Sequence, residues 1–395
     1  MGMELRPYYL SREWMNMGND VLVVSSSFSH LRRINPIIEH DFEITDVEGV
    51  NYLWFVNKPY VGNGFARAKN IFSFSLKLKL NAKKIVNFFK PDVVITSSTY
   101  PLDSYGGNKI AKIAKCKYVH EGHDLWPLTL TEIGGMKKWN PFIILMAGAE
   151  RYAYRNADSI VSLLPYSYEY MLGKGLKNIE KFSYIPNGVA SQDWDNPEEM
   201  PEEHTRLIQN LKKEGKTIIM YTGGHALSNK LDTFIDAAIM FKSNDSVAFV
   251  LIGSGAEKEK LVKKVLLNGA QNVVFLNPIS KKAIPTALGY ADALYIVAKK
   301  STLYRYGVSL NKVYDYMMSG KPIIYGVEAK NNEVKEADCG VYFDSDNVDS
   351  LVECIRLFLD MPFGERKKLG SNGKKWVINH CEYKVLAKKM LNLFD

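Results

Sequence analysis

The sequence predicts an α/β protein made of two doubly wound, Rossmann-like domains with parallel sheets. Its 395 residues exceed what one hydrophobic core supports, because cores stop growing at roughly 250 to 300 residues. Short apolar runs typical of buried strands alternate with helical patterns, which favours parallel pairing with right-handed crossovers. The alternation stops in a polar, charged segment from Asp193 to Lys216 and then begins again. We therefore expect an N-terminal domain over residues 1–190 and a C-terminal domain over residues 191–377.

Composition and charge narrow the class of partner. Hydrophobic residues make up 46% of the chain, as in a globular protein, and the formal net charge is +8. A positive charge suggests an anionic partner: a nucleoside diphosphate, an anionic membrane or a nucleic acid. The four cysteines are widely separated, without the spacing of a zinc site or a disulfide framework, which favours a reducing cytoplasm. No apolar run approaches about 18 residues and no signal peptide is visible, so we expect any membrane contact to be peripheral.

The first half opens with a helix rather than a strand. We expect a helix from Glu4 to Met17, a strand over residues 19–27, another from Asn51, and later strands over residues 91–98 and 117–124. A doubly wound domain normally begins with a strand, so the sequence suggests either an upstream start or a sheet that lacks one edge.

A basic segment from Phe65 to Lys90 contains seven Lys and Arg residues and no acid. Its strand-like alternation competes with a helical stripe from Phe74 to Phe89, and we predict a helix because the next strand needs a crossover. The opposite face would carry apolar residues flanked by lysines: Phe72, Leu76, Lys77, Lys79, Leu80, Lys83 and Lys84. This face is either the solvated side of a packed helix or a surface that dips into an anionic bilayer.

The stretch HEGHDLWPLTL, which begins at His120, includes the end of a predicted strand. His123 and Asp124 lie at the carboxyl end of that strand, where open parallel sheets bind ligands. We favour a cleft-lining pair with a catalytic role. Two alternatives stay open: a metal site, although the ligands lack helical spacing, and a structural histidine bonded to a backbone carbonyl.

Glycine-rich turns follow two apolar strands of the second half. They are Gly223-Gly224 and Gly253-Ser254-Gly255. Such turns let backbone amides approach a phosphate, although neither is a full dinucleotide fingerprint. With a third turn at Gly307, they would place several strand ends on one rim of the second domain. This arrangement predicts a nucleotide site on that rim.

The helix that starts near Ser309 carries the clearest site chemistry. Ser309 is a candidate N-cap, so the amides of Leu310, Asn311 and Lys312 would point out of the helix N-terminus, where the dipole favours an anion. Lys312 and Asp315 are one turn apart and share a face. A phosphate at the helix start would then have its ribose beside the carboxylate. A capped helix with a solvated lysine and aspartate gives the same pattern.

Several stretches together resemble one family of enzymes. They are GMELRPYYLSREW, DVLVVSSSFSHLRR, HDLWPLTL, YIPNGV, YTGGHALSNKLDTFIDAA, LIGSGAEK, YGVSLNKVYDYMMSGKPI and the closing helix from Tyr383. The chain is similar to GT-B retaining glycosyltransferases of family 4. More narrowly, it resembles the bacterial transferases of O-antigen, lipopolysaccharide and capsule synthesis that add an N-acetylated, L-fucosamine-type deoxysugar. The resemblance covers nearly the whole chain.

The resemblance implies two domains that face across a cleft. The C-terminal domain would hold the nucleotide sugar, and the N-terminal domain would shape the acceptor side. A final helix over residues 378–395 would return to the N-terminal domain. The acceptor side would include Gly2, Glu4 and Arg6. The family begins with a strand, and only the end of that strand is expected in this sequence.

The roles of site residues carry over only in part. Asp315 would bind the ribose and Lys312 would add charge at the diphosphate, whereas Gly307 replaces a glutamate of the family's acidic pair. His225 and Asn229 take the places of an arginine and a lysine. The remaining donor contacts would come from the glycine turns and the helix start: Gly223, Gly224, Gly253, Ser254, Ser309, Leu310 and Asn311.

The implied reaction moves a sugar, an N-acetylated hexosamine or deoxyhexosamine, from a UDP-sugar to a lipid-linked saccharide with retention at the anomeric carbon. His123 would meet the donor sugar, and no metal or cofactor is expected. The expected partners are the nucleotide sugar, a polyprenyl-diphosphate saccharide and the anionic inner-membrane surface, with the protein cytoplasmic and peripheral. A UDP-sugar 2-epimerase-like isomerase is the main rival, because it shares the fold and the donor. A nucleic-acid-binding role would explain the charge, but its usual motifs are absent.

Overall fold

The computed structural model describes residues 5–30, 32, 34–62 and 64–394, and it divides into two compact units. Unit 1 contains the chain up to Asn187, the short segment Arg305–Ser309 and the chain from Tyr383 onward. Unit 2 contains Gly188–Tyr304 and Leu310–Glu382. The sequence analysis did not anticipate that Arg305–Ser309 belongs to the first unit.

The elements of both units have the following bounds. The strands are β1 Leu22–Ser26, β2 Glu43–Val47, β3 Val50–Phe55, β4 Val93–Ser98, β5 Lys117–Gly122, β6 Ser159–Ser162, β7 Phe182–Tyr184, β8 Thr217–Thr222, β9 Val247–Ile252, β10 Val273–Leu276, β11 Ala293–Val297, β12 Ile323–Gly326 and β13 Gly340–Tyr342. The helices are α1 Leu5–Asn16, α2 Phe65–Leu80, α3 Ala82–Phe89, α4 Ser104–Ala114, α5 Leu128–Glu132, α6 Pro141–Asn156, α7 Tyr168–Leu172, α8 Glu202–Lys213, α9 Leu231–Met240, α10 Lys258–Asn268, α11 Ile284–Gly289, α12 Asn311–Met318, α13 Glu333–Glu336, α14 Val348–Asp360, α15 Phe363–Cys381 and α16 Tyr383–Leu391. None of the described helices is both long and apolar enough to cross a membrane.

Unit 1 contains two sheets. One has the order β1-β3-β2, with β1 parallel and β2 antiparallel to β3, and the other is the parallel sheet β4-β5-β6-β7. The sequence analysis missed β2, which forms a hairpin with β3 through Glu48 and Gly49. Both turn residues have positive φ, 51° and 89°, as a two-residue hairpin requires. The Glu-Gly pair was the available signal, but an alternating doubly wound pattern does not call for a hairpin.

The basic segment forms two helices rather than one. α2 and α3 are separated at Asn81, whose side-chain amide donates to the Lys77 carbonyl at 2.9 Å. The predicted apolar stripe is confirmed, since Phe74, Leu78, Ala82 and Ile85 are all buried. Together they form one wall of the core beneath β3.

The two ends of the described chain meet in unit 1. The rings of Tyr9 in α1 and Tyr383 in α16 stack with centroids 4.8 Å apart. The Trp14 indole donates to the Ala387 carbonyl at 3.1 Å. The returning helix expected from the resemblance therefore packs on α1, although it begins at Tyr383 rather than near residue 378.

Unit 2 is a single parallel sheet with the order β10-β9-β8-β11-β12-β13. Strands β8, β9, β11 and β12 are almost entirely buried, which is why they read as continuous apolar runs in the sequence. The strand order reverses between β8 and β11, and open sheets of this kind bind ligands at such a switch point, beyond the carboxyl ends of the strands. The second domain is thus the doubly wound fold that the sequence predicted.

Helix α12 starts on that rim, and its C-terminal turn packs directly against the backbone of α15. It ends in a turn at Gly320, whose φ is 69°, and Gly370 of α15 lies directly against this turn. A Cβ atom at Gly370 would lie 1.9 Å from the Gly320 carbonyl oxygen. Only glycine allows this approach, so Gly370 sets how closely α15 packs on α12.

We predict that Gly370→Ala lowers the free energy of unfolding by about 1–3 kcal/mol, because overpacking a close backbone contact costs that much. Gly364, near the start of the same helix, is the matched control, since a Cβ atom there meets nothing within 4 Å. Gly364→Ala should leave stability unchanged or slightly raised. Urea unfolding measures both variants, and equal stability of the two would show that the contact can relax.

Candidate functional site

Two turns at the rim of unit 2 interlock through their backbones. Gly223 follows β8, and Gly253 and Gly255 follow β9, with φ angles of 137°, 153° and 157°. A Cβ atom on Gly253 would lie 1.9 Å from the Gly223 carbonyl oxygen, and one on Gly255 would lie 2.4 Å from that of His225. The His225 amide donates to the Ser254 carbonyl at 2.8 Å, which joins the turns directly. The three glycines therefore create one compact platform.

The expected donor contact from the His225 side chain is wrong. The ring is fully buried, with the rings of Tyr221 and Phe275 each 6.1 Å away between centroids. Burial, with repulsion from Lys258, lowers the pKa of His225 to about 4, so the ring is neutral at pH 7. His225 supports the platform from below instead of facing the rim.

The start of α12 differs from the sequence prediction by one residue and by its cap. Leu310 occupies the N-cap position, and no side chain caps the helix. The predicted cap, Ser309, is bonded elsewhere: its hydroxyl accepts from the Asn187 amide at 2.9 Å, and its carbonyl accepts from the Asn187 side chain at 3.0 Å. The first bond at this end runs from the Val313 amide to the Leu310 carbonyl. The amides that precede Val313 therefore point out of the helix N-terminus, as predicted for an anion site.

Lys312 extends across the rim to the Gly223 turn. A Cβ atom on Gly223 would lie 2.5 Å from Lys312 Cε, and the ammonium lies 5.4 Å from the centre of the Tyr221 ring. The ammonium donates to Asn229 Oδ1 at 3.4 Å, while the Asn229 amide donates to the Gly224 carbonyl at 2.8 Å. The structure thus brings Gly223, Gly224, Asn229 and Lys312 together, as the sequence analysis expected.

The charge of Lys312 has no carboxylate partner among the ion pairs of the described residues. Burial without a counter-charge lowers the pKa of Lys312. A partly buried cation beside free helix amides is an arrangement that an anion would stabilise.

Asp315 pairs with a residue that the sequence analysis missed. Its Oδ2 lies 2.5 Å from Nζ of Lys281, which is in a short 3-10 turn after β10. Ser280 fixes that turn, because its hydroxyl accepts from the Ala283 amide at 3.2 Å. Only the place of Lys281 shortly after a strand end could have indicated it, and many lysines share such a place. The carboxylate is therefore already held in position, with 19% of its side-chain surface exposed.

In unit 1 the centre of the polar cluster is Glu121, which the sequence analysis did not single out. Arg6 donates to its Oε1 from Nε at 3.0 Å and from Nη2 at 2.8 Å. Ser97 donates to Oε2 at 2.5 Å, and His123 Nε2 lies 3.1 Å from the same oxygen. Burial opposes ionisation of Glu121, but Arg6 and His123 hold the pKa of this carboxyl well below its usual range. Glu121 is therefore a buried anion that orients His123.

The resemblance implied that Arg6 contacts the acceptor, but the structure contradicts this. Its guanidinium is 5% exposed, and besides Glu121 it donates to the Ile185 and Pro186 carbonyls. Arg6 therefore positions Glu121 and the backbone at Ile185 and Pro186. The two other residues expected on the acceptor side, Gly2 and Glu4, lie outside the described residues.

Asp124 is held by two hydrogen bonds to one of its oxygens, and its expected catalytic role stays a prediction. Its Oδ1 accepts from the Leu125 amide at 2.8 Å and from the Thr129 hydroxyl at 2.7 Å, which caps the turn that leads into α5. Burial raises the pKa of Asp124 above its ordinary value. His123, by contrast, keeps 24% of its side chain exposed at the carboxyl end of β5. Among the described residues, no three His, Cys, Asp or Glu side chains come together as metal ligands would.

Two family models divide the chain between them. The model "Glycosyltransferase Family 4" matches residues 2–193, and the model "Glycosyl transferases group 1" matches residues 204–376. A relative named as a colanic acid biosynthesis glycosyl transferase, WcaI of Escherichia coli (strain K12), is 23% identical over 280 residues. That match covers 69% of this chain and 68% of the relative.

Solved structures show the same fold. Sucrose-phosphate synthase of Thermosynechococcus elongatus superimposes with a TM-score of 0.73 at 16% identity, covering 100% of this chain and 93% of that one. HepE of Anabaena, in complex with UDP and glucose, gives a TM-score of 0.61 at 15% identity, covering 87% and 86%. The predicted fold class is confirmed by these structures and by the sheets described above.

We predict that Arg6→Met lowers the free energy of unfolding by about 3–5 kcal/mol near pH 7, because it leaves the Glu121 carboxylate buried without its counter-charge. The depressed pKa of Glu121 means that the intact pair stabilises the protein above the unfolded pKa of about 4.3, and this contribution is lost as pH falls through the lower folded pKa. The stability gap between parent and variant should therefore narrow as the pH falls below about 4, toward the lower folded pKa. Urea unfolding at several pH values measures it.

The double variant Arg6→Met with Glu121→Gln is the control for that experiment. A neutral amide no longer needs the guanidinium, so the double variant should recover part of the lost stability. If the double variant is as unstable as Arg6→Met alone at every pH, packing of the arginine stem rather than charge accounts for the loss.

Proposed function

We propose that this chain, a glycosyltransferase of the GT-B type, transfers a sugar from a nucleoside diphosphate, UDP in the first instance, to a hydroxyl of a lipid-linked saccharide. The product would serve bacterial surface-polysaccharide synthesis. The observation that carries the proposal is the Lys312 ammonium, which has no carboxylate partner among the described residues and lies beside the Gly223–Gly224 turn at the open start of α12. This is the charge arrangement that a departing diphosphate needs.

The donor would bind across the rim of unit 2. The amides before Val313 and the Lys312 ammonium would hold the diphosphate, with Asn229 keeping the ammonium in place. Asp315 would accept hydrogen bonds from the ribose hydroxyls, and Lys281 would keep that carboxylate oriented. HepE of Anabaena was solved with UDP and glucose on the same fold, which supports a nucleotide sugar as the donor.

The transfer would depend on stabilising the leaving diphosphate. Preorganised donors in a partly buried site stabilise developing charge without reorganisation, and Lys312 with the helix amides would supply them. We assign no nucleophilic carboxylate, so we propose retention by attack on the same face of the sugar that the diphosphate leaves. His123, held by Glu121 and Ser97, would contact the donor sugar.

The sugar and the acceptor are proposed from the resemblance and from one relative. The relative named for colanic acid synthesis in Escherichia coli supports an acceptor in a surface-polysaccharide assembly. An N-acetylated hexosamine or deoxyhexosamine remains our proposal for the sugar. A screen of UDP-, GDP- and ADP-sugars by thermal shift, followed by product analysis with a polyprenyl-diphosphate saccharide, tests both.

A lipid-linked acceptor would place the enzyme at the bilayer surface. On α2, Phe72, Leu76 and Leu80 are 43%, 56% and 68% exposed, opposite the buried stripe, which fits shallow insertion. Lys79 is exposed on the same helix. Lys83 and Lys84 of α3 are also exposed.

Lys77 does not belong to this surface. Its ammonium lies 2.8 Å from Asp41 Oδ1 and donates to the Val56 carbonyl at 2.6 Å, so it ties α2 to the chain beside β3.

We predict that Lys312→Ala and Asp315→Asn each weaken UDP binding by about ten- to a hundredfold, because a lost charged hydrogen bond costs about 1.5–3 kcal/mol. The Lys312 variant should lose affinity for UDP but not for uridine, whereas the Asp315 variant should lose affinity for both. Titration calorimetry measures the four affinities. Lys263→Ala on α10 and Asp349→Asn on α14, both exposed, are the charge-matched controls. Unchanged UDP affinity in both site variants would move the donor site elsewhere.

We predict that His123→Ala reduces kcat by about tenfold or more while UDP affinity stays within about twofold, because the residues proposed to bind UDP all lie in unit 2 and His123 lies in unit 1. Steady-state kinetics and calorimetry on the same preparation give the two quantities. Equal loss of turnover and UDP affinity, or a large loss of stability, would make His123 a structural residue of the Glu121 cluster.

A further inference from the structure

Three large apolar side chains are exposed to water between the end of α5 and the first turn of α6. Ile133 is 62% exposed, Trp139 is 70% exposed, and Ile144, in the first turn of α6, is 59% exposed. Exposed Lys137 and Lys138 directly precede the tryptophan. We call these five residues the Trp139 surface.

The backbone of this segment is fixed by hydrogen bonds. The Met136 amide donates to the Leu130 carbonyl at 3.0 Å, and the Asn140 amide donates to the Lys137 carbonyl at 2.9 Å. The Asn140 side chain then caps α6 by accepting from the Phe142 amide at 2.9 Å. The fold therefore presents the indole outward on an ordered support, and ordered exposure of this much apolar surface indicates a contact site.

The charge of the segment selects an anionic partner. No acid occurs between Ile133 and Ala149, and the acid just before, Glu132, is paired with Arg305 at 2.9 Å. The Lys137 ammonium lies 5.2 Å from the centre of the Trp139 ring, so positive charge and aromatic surface are presented together. Tryptophan beside lysine suits the headgroup level of a bilayer, where the ring is half-buried and the ammonium meets phosphate.

An apolar cluster around Trp126 joins α2 to α6, the helix that carries Ile144. The ring of Trp126 has the Arg67 guanidinium 5.4 Å from its centre on one side and the Phe142 ring 6.5 Å away on another. Ile71 of α2 and Met146 of α6 are buried in the same apolar cluster. Residues in the first turns of α2 and α6 thus lie around the same tryptophan.

We propose that the Trp139 surface is a second membrane-docking element, which inserts Trp139 at the headgroup level of an anionic bilayer. The choice of a bilayer as the partner rests on the proposed function, since an enzyme meets a lipid-linked acceptor at the membrane surface. An anionic bilayer fits better than a protein partner because Lys137 and Lys138 are the only charged residues from Ile133 to Ala149, without the mixed charges that would orient a protein.

The test measures co-sedimentation with vesicles of phosphatidylglycerol and phosphatidylcholine. Trp139→Ala and Lys137→Gln with Lys138→Gln should each bind more weakly than the parent, the latter by about fivefold per lysine at low salt. The chain offers matched controls on α15: Phe363→Ala, which removes an aromatic ring that is 80% exposed, and Lys367→Gln with Lys368→Gln, which removes an adjacent pair of exposed lysines. Both controls should bind as the parent does.

A second measurement tests insertion itself. Brominated lipid should quench the fluorescence of the parent more than that of Trp139→Phe, because a bromine quenches only an indole that enters the bilayer. Vesicle binding by the Trp139 and Lys137/Lys138 variants equal to that of the parent would overturn the proposal. The proposal would also be overturned if only the triple variant Lys79→Gln, Lys83→Gln and Lys84→Gln lost vesicle binding. In that case α2 and α3 would be the sole contact.

The outcome can be separated from that of the proposed function. UDP affinity should be the same in the parent and in all the surface variants, because none of the changed residues is proposed to bind UDP. Transfer to an acceptor embedded in vesicles should fall in Trp139→Ala, whereas transfer to a short-chain, water-soluble acceptor should not. If the parent binds neither UDP nor UDP-sugars but still needs Trp139 to bind vesicles, the proposed function fails and this inference stands.

Discussion

The close approach of the two glycine turns is the constraint on which the rim of unit 2 depends. The turn after β8 and the turn after β9 share backbone contacts that leave no room for a Cβ atom at Gly253 or Gly255. Gly223 also lacks a Cβ atom, which leaves room for the Lys312 side chain, and side-chain bonds join the Gly224 carbonyl, Asn229 and Lys312. The Lys312 ammonium is therefore positioned by the loop that follows β8, through Asn229 and the Gly224 carbonyl.

Unit 1 organises its polar residues around a charge instead of a backbone contact. A carboxylate that is 1% exposed costs much free energy unless it is fully bonded, and Glu121 is bonded by Arg6, Ser97 and His123 together. The bonds that satisfy the buried anion also fix the histidine ring. The partly exposed His123 is thus oriented by the same hydrogen bonds that stabilise the buried Glu121 carboxylate.

Sequence patterns predicted the fold well because they report burial, which sheets and helices impose periodically. They predicted less of the site, because its contacts join residues far apart in the chain. Lys281 and Asp315 are 34 residues apart, and Arg6 and Glu121 are 115 apart, so no local pattern reveals either pair. His225 misled for a related reason: a histidine after a glycine turn can face the rim or the core, and the neighbouring turn decides which.

Unit 1 is assembled from three separate stretches of chain, and this has a consequence for dissecting the protein. A contiguous fragment that ends at Asn187 would lack both α16, on which Tyr9 and Trp14 pack, and the stretch Arg305–Ser309. The chain passes between the units at residues 187/188, 304/305, 309/310 and 382/383. A chimera that grafts the second unit of another enzyme therefore needs all of these junctions, and one of them falls immediately before the helix start that presents Lys312.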